Sequence, residues 1–216
     1  MSRKILLYAS IVLIAVSCSK QHINHHYIDQ WVKDYYGFQK GSYWIFKDSL
    51  TQEVDSLVVN KYELKTSSEK QARYGYVELY DLLEVGFAIY MNNEVRQWDM
   101  TLPYDGDVRM TYGHDSNRGD LEMMMNRPSH EYAERSGYNC PDSLYTGGSD
   151  YPFFVVDTTE YSNVQEVYRR LHTNCPNAIS RDDHFYMISE HGFIKIVLNN
   201  DLEHHIWELQ RSNIIR

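Results

Sequence analysis

The chain has 216 residues and carries 21 Lys and Arg against 30 Asp and Glu, a net charge of −9. This length suits one domain, and the 43% hydrophobic and 14% aromatic content supplies a core, which excludes a disordered acidic tail. The acidic balance argues against general nucleic-acid binding, because phosphate backbones attract positive surfaces. Residues 1–17 open with Arg3 and Lys4, followed by an apolar run from Ile5 to Val16. The run is too short to span a bilayer, which takes about 20 residues. A basic start, a short apolar segment and small residues before a cut predict a secretory signal peptide over 1–17.

Ala15-Val16-Ser17-Cys18 resembles the lipobox of bacterial lipoproteins, with Ala15 where Leu is usual. The resemblance implies cleavage before Cys18 and acylation of its thiol. Two or three acyl chains anchor a protein stably, each buried CH₂ contributing about 0.8 kcal/mol. Residues 18–26 then read as a polar, lipidated tether, and 27–216 as a single domain. The expected location is the cell envelope, on the periplasmic or surface face of the outer membrane. Without Cys18, Cys140 and Cys175 remain, an even pair in an oxidising compartment. Each stands in an Asn-Cys-Pro tripeptide. A disulfide between them closes a loop of about 35 residues and stabilises by roughly 3–4 kcal/mol; the alternative is two buried thiols.

Along the domain, Ile28, Trp31, Val32 and Tyr35 recur at helical spacing and predict a short helix over 27–36, closed by Gly37. From Ser42 the period becomes two. Strands are expected at 42–46, 54–64, 73–83, 86–91, 95–100, 108–112 and 121–125. Residues 127–151, with two Pro and three Gly, read as a long loop. A strand follows at 153–156. Residues 164–171 fit a helix or a strand. Strands at 184–189 and 193–198 flank a turn at Glu190-His191-Gly192, and the last strand covers 203–210. Short β-branched and aromatic runs between turn residues predict a mainly-β antiparallel domain, either a curved sheet, a sandwich or a partial barrel.

The stretch Gly41 to Thr51 (GSYWIFKDSLT), with Asp55 to Val59, resembles small Bacteroidetes-type outer-membrane lipoproteins. Phe185 to Lys195 and Trp207-Glu208-Leu209 are similar to their closing strands. The resemblance implies an anchored antiparallel β protein and transfers no catalytic residue. Trp98-Asp99-Met100 with Asp107-Val108-Arg109 is similar to a segment of a group of haem-binding lipoproteins, but the paired histidines of that group do not align here.

Motifs for chemistry are weak. His22, His25 and His26 fall in the expected tether, and His204-His205 point to opposite faces of a strand. No metal ligand set is expected. Asp115 to Asn126 imitates a calcium loop, but Gly119, Asp120 and Asn126 stand at the wrong positions. Gly147-Gly148-Ser149-Asp150-Tyr151 lacks the closing Gly of a nucleophile elbow. Met123-Met124-Met125, with Met100 and Met110, could line an adaptable apolar pocket or fill the core. The expectation is a non-enzymatic, membrane-anchored binding or interaction module that needs no cofactor. Its partner is a small molecule or a protein. The alternatives are a capture protein for haem or glycan, and a secreted hydrolase using acids or histidines of 103–122.

Overall fold

A computed structural model describes residues 22–71, 76–91, 94–103, 108–115, 119–124, 132–134, 143–172, 181–199 and 204–216. Cys18, Cys140, Cys175, Asp105 and Asp107 lie outside these residues. The described chain is one curled, mainly antiparallel sheet, a half-barrel, with a single short helix.

Its elements are β1 (His22–His26), α1 (Gln30–Tyr36), β2 (Tyr43–Asp48), β3 (Val54–Gln71), β4 (Tyr76–Met91), β5 (Glu94–Pro103) and β6 (Arg109–Asp115). They continue with β7 (Gly119–Met124), β8 (Tyr132–Glu134), β9 (Ser143–Val156), β10 (Thr159–His172), β11 (Arg181–Ile188), β12 (Gly192–Asn199) and β13 (His204–Asn213). The strand order is β7-β6-β5-β4-β3-β2-β13-β12-β11-β10-β9-β8, with β1 added in parallel to β4.

Alternation puts one apolar set on the concave face. Trp44 and Phe46 of β2, Phe87 of β4, Trp98 of β5, Phe185 of β11, Phe193 of β12 and Trp207 of β13 belong to one buried cluster. The ring of Trp98 lies 6.0 Å from Phe185 and 6.1 Å from Trp207. β5 and β11 stand far apart in strand order, so these contacts require the sheet to curl until its two halves meet. Each such side chain contributes about 1.5–3 kcal/mol by leaving water. Helix α1 closes the same core with Val32 and Tyr36, and Phe38 follows it. Gly192 turns the chain at φ +65°, where a Cβ would sit 2.8 Å from ring atoms of Phe38 and Trp44. Glycine is required there by both conformation and space.

Three expectations need correction, and one open alternative is decided. The expected tether is ordered from His22, where β1 pairs Ile23 with Val77 and His25 with Leu79. Strands expected at 73–83 and 86–91 form the one strand β4, because Gly86 sits in the ladder opposite a bulge at Val59/Lys61 instead of in a turn. A Cβ on Gly86 would meet Lys61 Cβ at 2.9 Å. The stretch read as a loop over 127–151 contains β8 and the first part of β9, with Gly147 and Gly148 paired to Tyr168 and Val167. Residues 164–171 resolve as strand. Their helix-like spacing arises because Val164 serves an outer cluster and Val167 the inner one.

Candidate functional site

The convex face of β9, β10 and β11 carries the strongest concentration of chemistry among the described residues. On β11, Asp183, Phe185 and Met187 are buried on the inner side, so Asp182, His184 and Tyr186 stand outside. The ladder sets Tyr186 opposite Glu166 and His184 opposite Tyr168 on β10. Phe154 and Tyr151 come from β9.

Glu166 is the centre. Its carboxylate faces His184 Nδ1 at 2.7 Å and accepts from the Tyr151 hydroxyl at 2.7 Å. The other imidazole nitrogen, Nε2, lies 3.0 Å from Asp182, which also accepts from Arg170 Nε at 2.9 Å. Ionised carboxylates only accept, so both His184 nitrogens donate and the ring is an imidazolium. Burial alone would raise the Glu166 carboxyl. Hydrogen bonds from His184, Tyr151 and Tyr186 outweigh it and hold the group at about 2. Burial would likewise lower His184, but the Glu166 hydrogen bond and both carboxylate charges carry it upward. Burial and then Glu166 push Tyr186 up, and Glu166 and then burial push Tyr151 up, so both stay protonated phenols.

The rings form a row. His184 is nearly parallel to Tyr186, centroids 6.2 Å apart, and Tyr186 stacks on Phe154 at 4.5 Å. Tyr168 flanks His184 at 5.9 Å, with the Arg170 guanidinium over its ring at 4.5 Å. Tyr168, His184, Tyr186, Phe154 and Tyr151 are all partly exposed. This is a row of stacked, partly exposed aromatic rings edged by charged hydrogen-bonding groups.

A second acid–imidazole contact lies on neighbouring strands. Asp48 meets His205 Nδ1 at 2.6 Å and accepts from the amides of Leu50 and Thr51, ordering the β2–β3 turn. Burial opposes ionisation of Asp48, but these bonds lower its pKa overall. Nearby Asp55 is raised by burial. An open groove of about 440 Å³ between α1 and the β11–β12 turn is lined by Lys33, Asp34, Tyr62, Glu190 and Arg216 among others. Arg216 there lies over the Phe38 ring and donates to the Lys33 carbonyl.

The residues singled out from sequence do not converge. His25 reaches Asp81 at 2.9 Å and His26 stacks on Tyr80, so neither dangles in a tether. His204 bonds Asn199 and His205 bonds Asp48, on opposite sides as expected. Trp98, Met100 and Met110 fill the inner core. Asp115, Gly119 and Asp120 belong to β6 and β7, and Met123 and Met124 to β7; Asn126 and Met125 lie outside the described residues. Among the described residues no group of three or more His, Cys, Asp or Glu is arranged to hold a metal ion, and no helix is long and apolar enough to cross a membrane. Sequence reasoning missed Glu166 and His184. The signal available was the even-numbered run Asp182, His184, Tyr186, polar or amphipathic at every second position.

Comparison of the chain with family models, curated proteins and solved structures gives no match in any of the three.

Proposed function

We propose that the chain is a lipid-anchored envelope protein that binds a ligand on its outer sheet face without chemical turnover. The signal segment and Cys18 support the anchor. The observation that carries the binding reading is the aromatic strip whose acid–base groups are already committed. Both His184 nitrogens face carboxylates, and Glu166 is held ionised at about 2. A general base for hydrolysis needs a free lone pair; here both His184 nitrogens face carboxylates and Glu166 is held far below the working pH. Flat rings beside charged acceptors suit a ligand with an apolar face and a hydroxylated rim, of which a sugar is the simplest case. Native mass spectrometry of residues 19–216, isolated from its host's periplasm, tests this. The expected result is a stoichiometric adduct that Tyr168→Ala loses; a bare wild-type protein overturns the reading.

We also propose the bridge Cys140–Cys175. The β9–β10 ladder pairs Ser143 with His172. Cys140 precedes Ser143 by three residues and Cys175 follows His172 by three, so a continuation of that register would set the two thiols opposite each other. Opposed residues in an antiparallel pair have Cα atoms about 4.5–5.5 Å apart, within the span a disulfide needs. Intact mass with alkylation, before and after reduction, checks it. Two alkylatable thiols before reduction exclude the bridge.

A further inference from the structure

We infer that the protein stands on the bilayer with the Gln71 and Tyr76 end of the paired strands β3 and β4 toward the lipid, and holds the aromatic strip at the far end. This rests on the proposed acylation of Cys18 and adds an orientation and a membrane-facing surface to it. β1 starts at His22, four residue steps after Cys18. Four steps of extended chain span at most about 14 Å. β1 enters the sheet at a defined point: it runs parallel to β4 and pairs His22 with Tyr76, the first residue of β4.

That end is an arm. β5 covers β4 from Leu82 to Met91, and β1 covers it from Tyr76 to Tyr80. Across the arm, Gln71 pairs with Tyr76 and Lys70 with Val77. The β3 side of this arm, from Asn60 to Lys70, is exposed throughout. Cys18, the point of acylation, therefore lies within about 14 Å of His22, beside the Tyr76 end of β4. The opposite end of β3 is Val54, 17 steps or about 56 Å along the strand, and the tether cannot reach it.

The aromatic strip belongs to that opposite end. Val54 pairs with Lys47, Lys47 with Glu208, Glu208 with Lys195, Lys195 with Tyr186, and Tyr186 with Glu166. One cross-strand row thus links the site to the end of β3 remote from the anchor. The arm is a spacer, and a ligand meets the strip away from the lipid headgroups.

Lysine labelling tests the orientation on the full-length protein. A membrane-impermeant amine reagent is applied to the anchored protein on the accessible face of the bilayer and to the detergent-extracted protein. Mass spectrometry then gives a labelling ratio for each lysine. Lys70, Lys65, Lys61 and Lys47 mark increasing distance from the arm end. Protection by the membrane is expected to be at least threefold at Lys70, to decline through Lys65 and Lys61, and to vanish at Lys47. Anchored protein with equal ratios at Lys70 and Lys47 overturns the orientation while leaving the anchor intact. Protein that partitions into the aqueous phase of a Triton extract, or stays membrane-bound after Cys18→Ala, overturns the acylation and the orientation with it.

Discussion

The two faces of β10 and β11 are built from alternate residues of the same strands, yet they solve different problems. Val167, Phe185 and Met187 turn inward and meet rings brought by distant strands. Glu166, His184 and Tyr186 turn outward and satisfy one another and Asp182. The inner contacts are non-directional and sum by area. The outer contacts are directional, and each depends on a partner being present. Replacing a buried ion pair by apolar side chains of similar volume is often neutral or stabilising, whereas removing one partner is costly. The inner face therefore secures the fold, and the outer network is a feature that stability alone does not demand.

The largest effect that separates the faces is expected from Trp98→Ala. It removes one set of contacts between the two halves of the curled sheet, those of Trp98 with Phe185 and Trp207, and leaves a cavity, with a loss of about 3–5 kcal/mol. A urea unfolding curve measures it. A loss below about 1 kcal/mol would mean that the sheet does not depend on these contacts for its curl. Next comes Glu166→Gln, which leaves the imidazolium of His184 with Asp182 alone. The expected loss is about 3 kcal/mol at pH 6. The pair Glu166→Leu with His184→Leu recovers most of it by the same assay; a double variant as unstable as the single would assign the network a stabilising role.

The ion pair also sets a pH window. Glu166 is depressed from 4.5 to about 2, so its contribution is complete above 4.5 and is lost as pH falls toward 2. His184 is raised above 6.5, so its contribution is complete below 6.5 and is lost as pH rises through the raised value. Stability from this pair is greatest between about 4.5 and 6.5. The alkaline decline is expected to disappear in the double variant and is read from unfolding midpoints between pH 5 and 9.

Which parts of this were legible in the sequence follows from where each signal is written. The β class, the helix near 27–36 and the turn at Gly192 are local: alternation, spacing and one glycine announce them. Glu166 and His184 are 18 residues apart and meet only through the β10–β11 register. No motif of fixed spacing encodes that contact. β1 was hidden for another reason. HINHH has the composition of a solvated tether, and it becomes a strand because β4 outruns β5 and leaves an edge to pair. Gly147 and Gly148 read as loop markers, although a ladder accepts glycine where it lies opposite a large ring such as Tyr168.

The smallest expected effect tests the arm against the body. His25 of β1 bonds Asp81 at 2.9 Å, and Asp81 also accepts from Thr66 at 2.8 Å. Burial raises the Asp81 carboxyl, but these two bonds and the nearby cations lower it overall, so the carboxylate is charged and wants both donors. His25→Ala removes one donor and keeps the other. The net loss is about 1 kcal/mol, or about fivefold in an opening constant. β1 joins the sheet along one edge of β4 alone, so this loss opens β1 locally and leaves the curled core closed. Hydrogen exchange should show β1 amides about fivefold faster and β10–β11 amides unchanged. Faster exchange in both regions would mean that arm and body open as one unit, and the arm of β3 and β4 would then be part of the core and not a spacer built onto it.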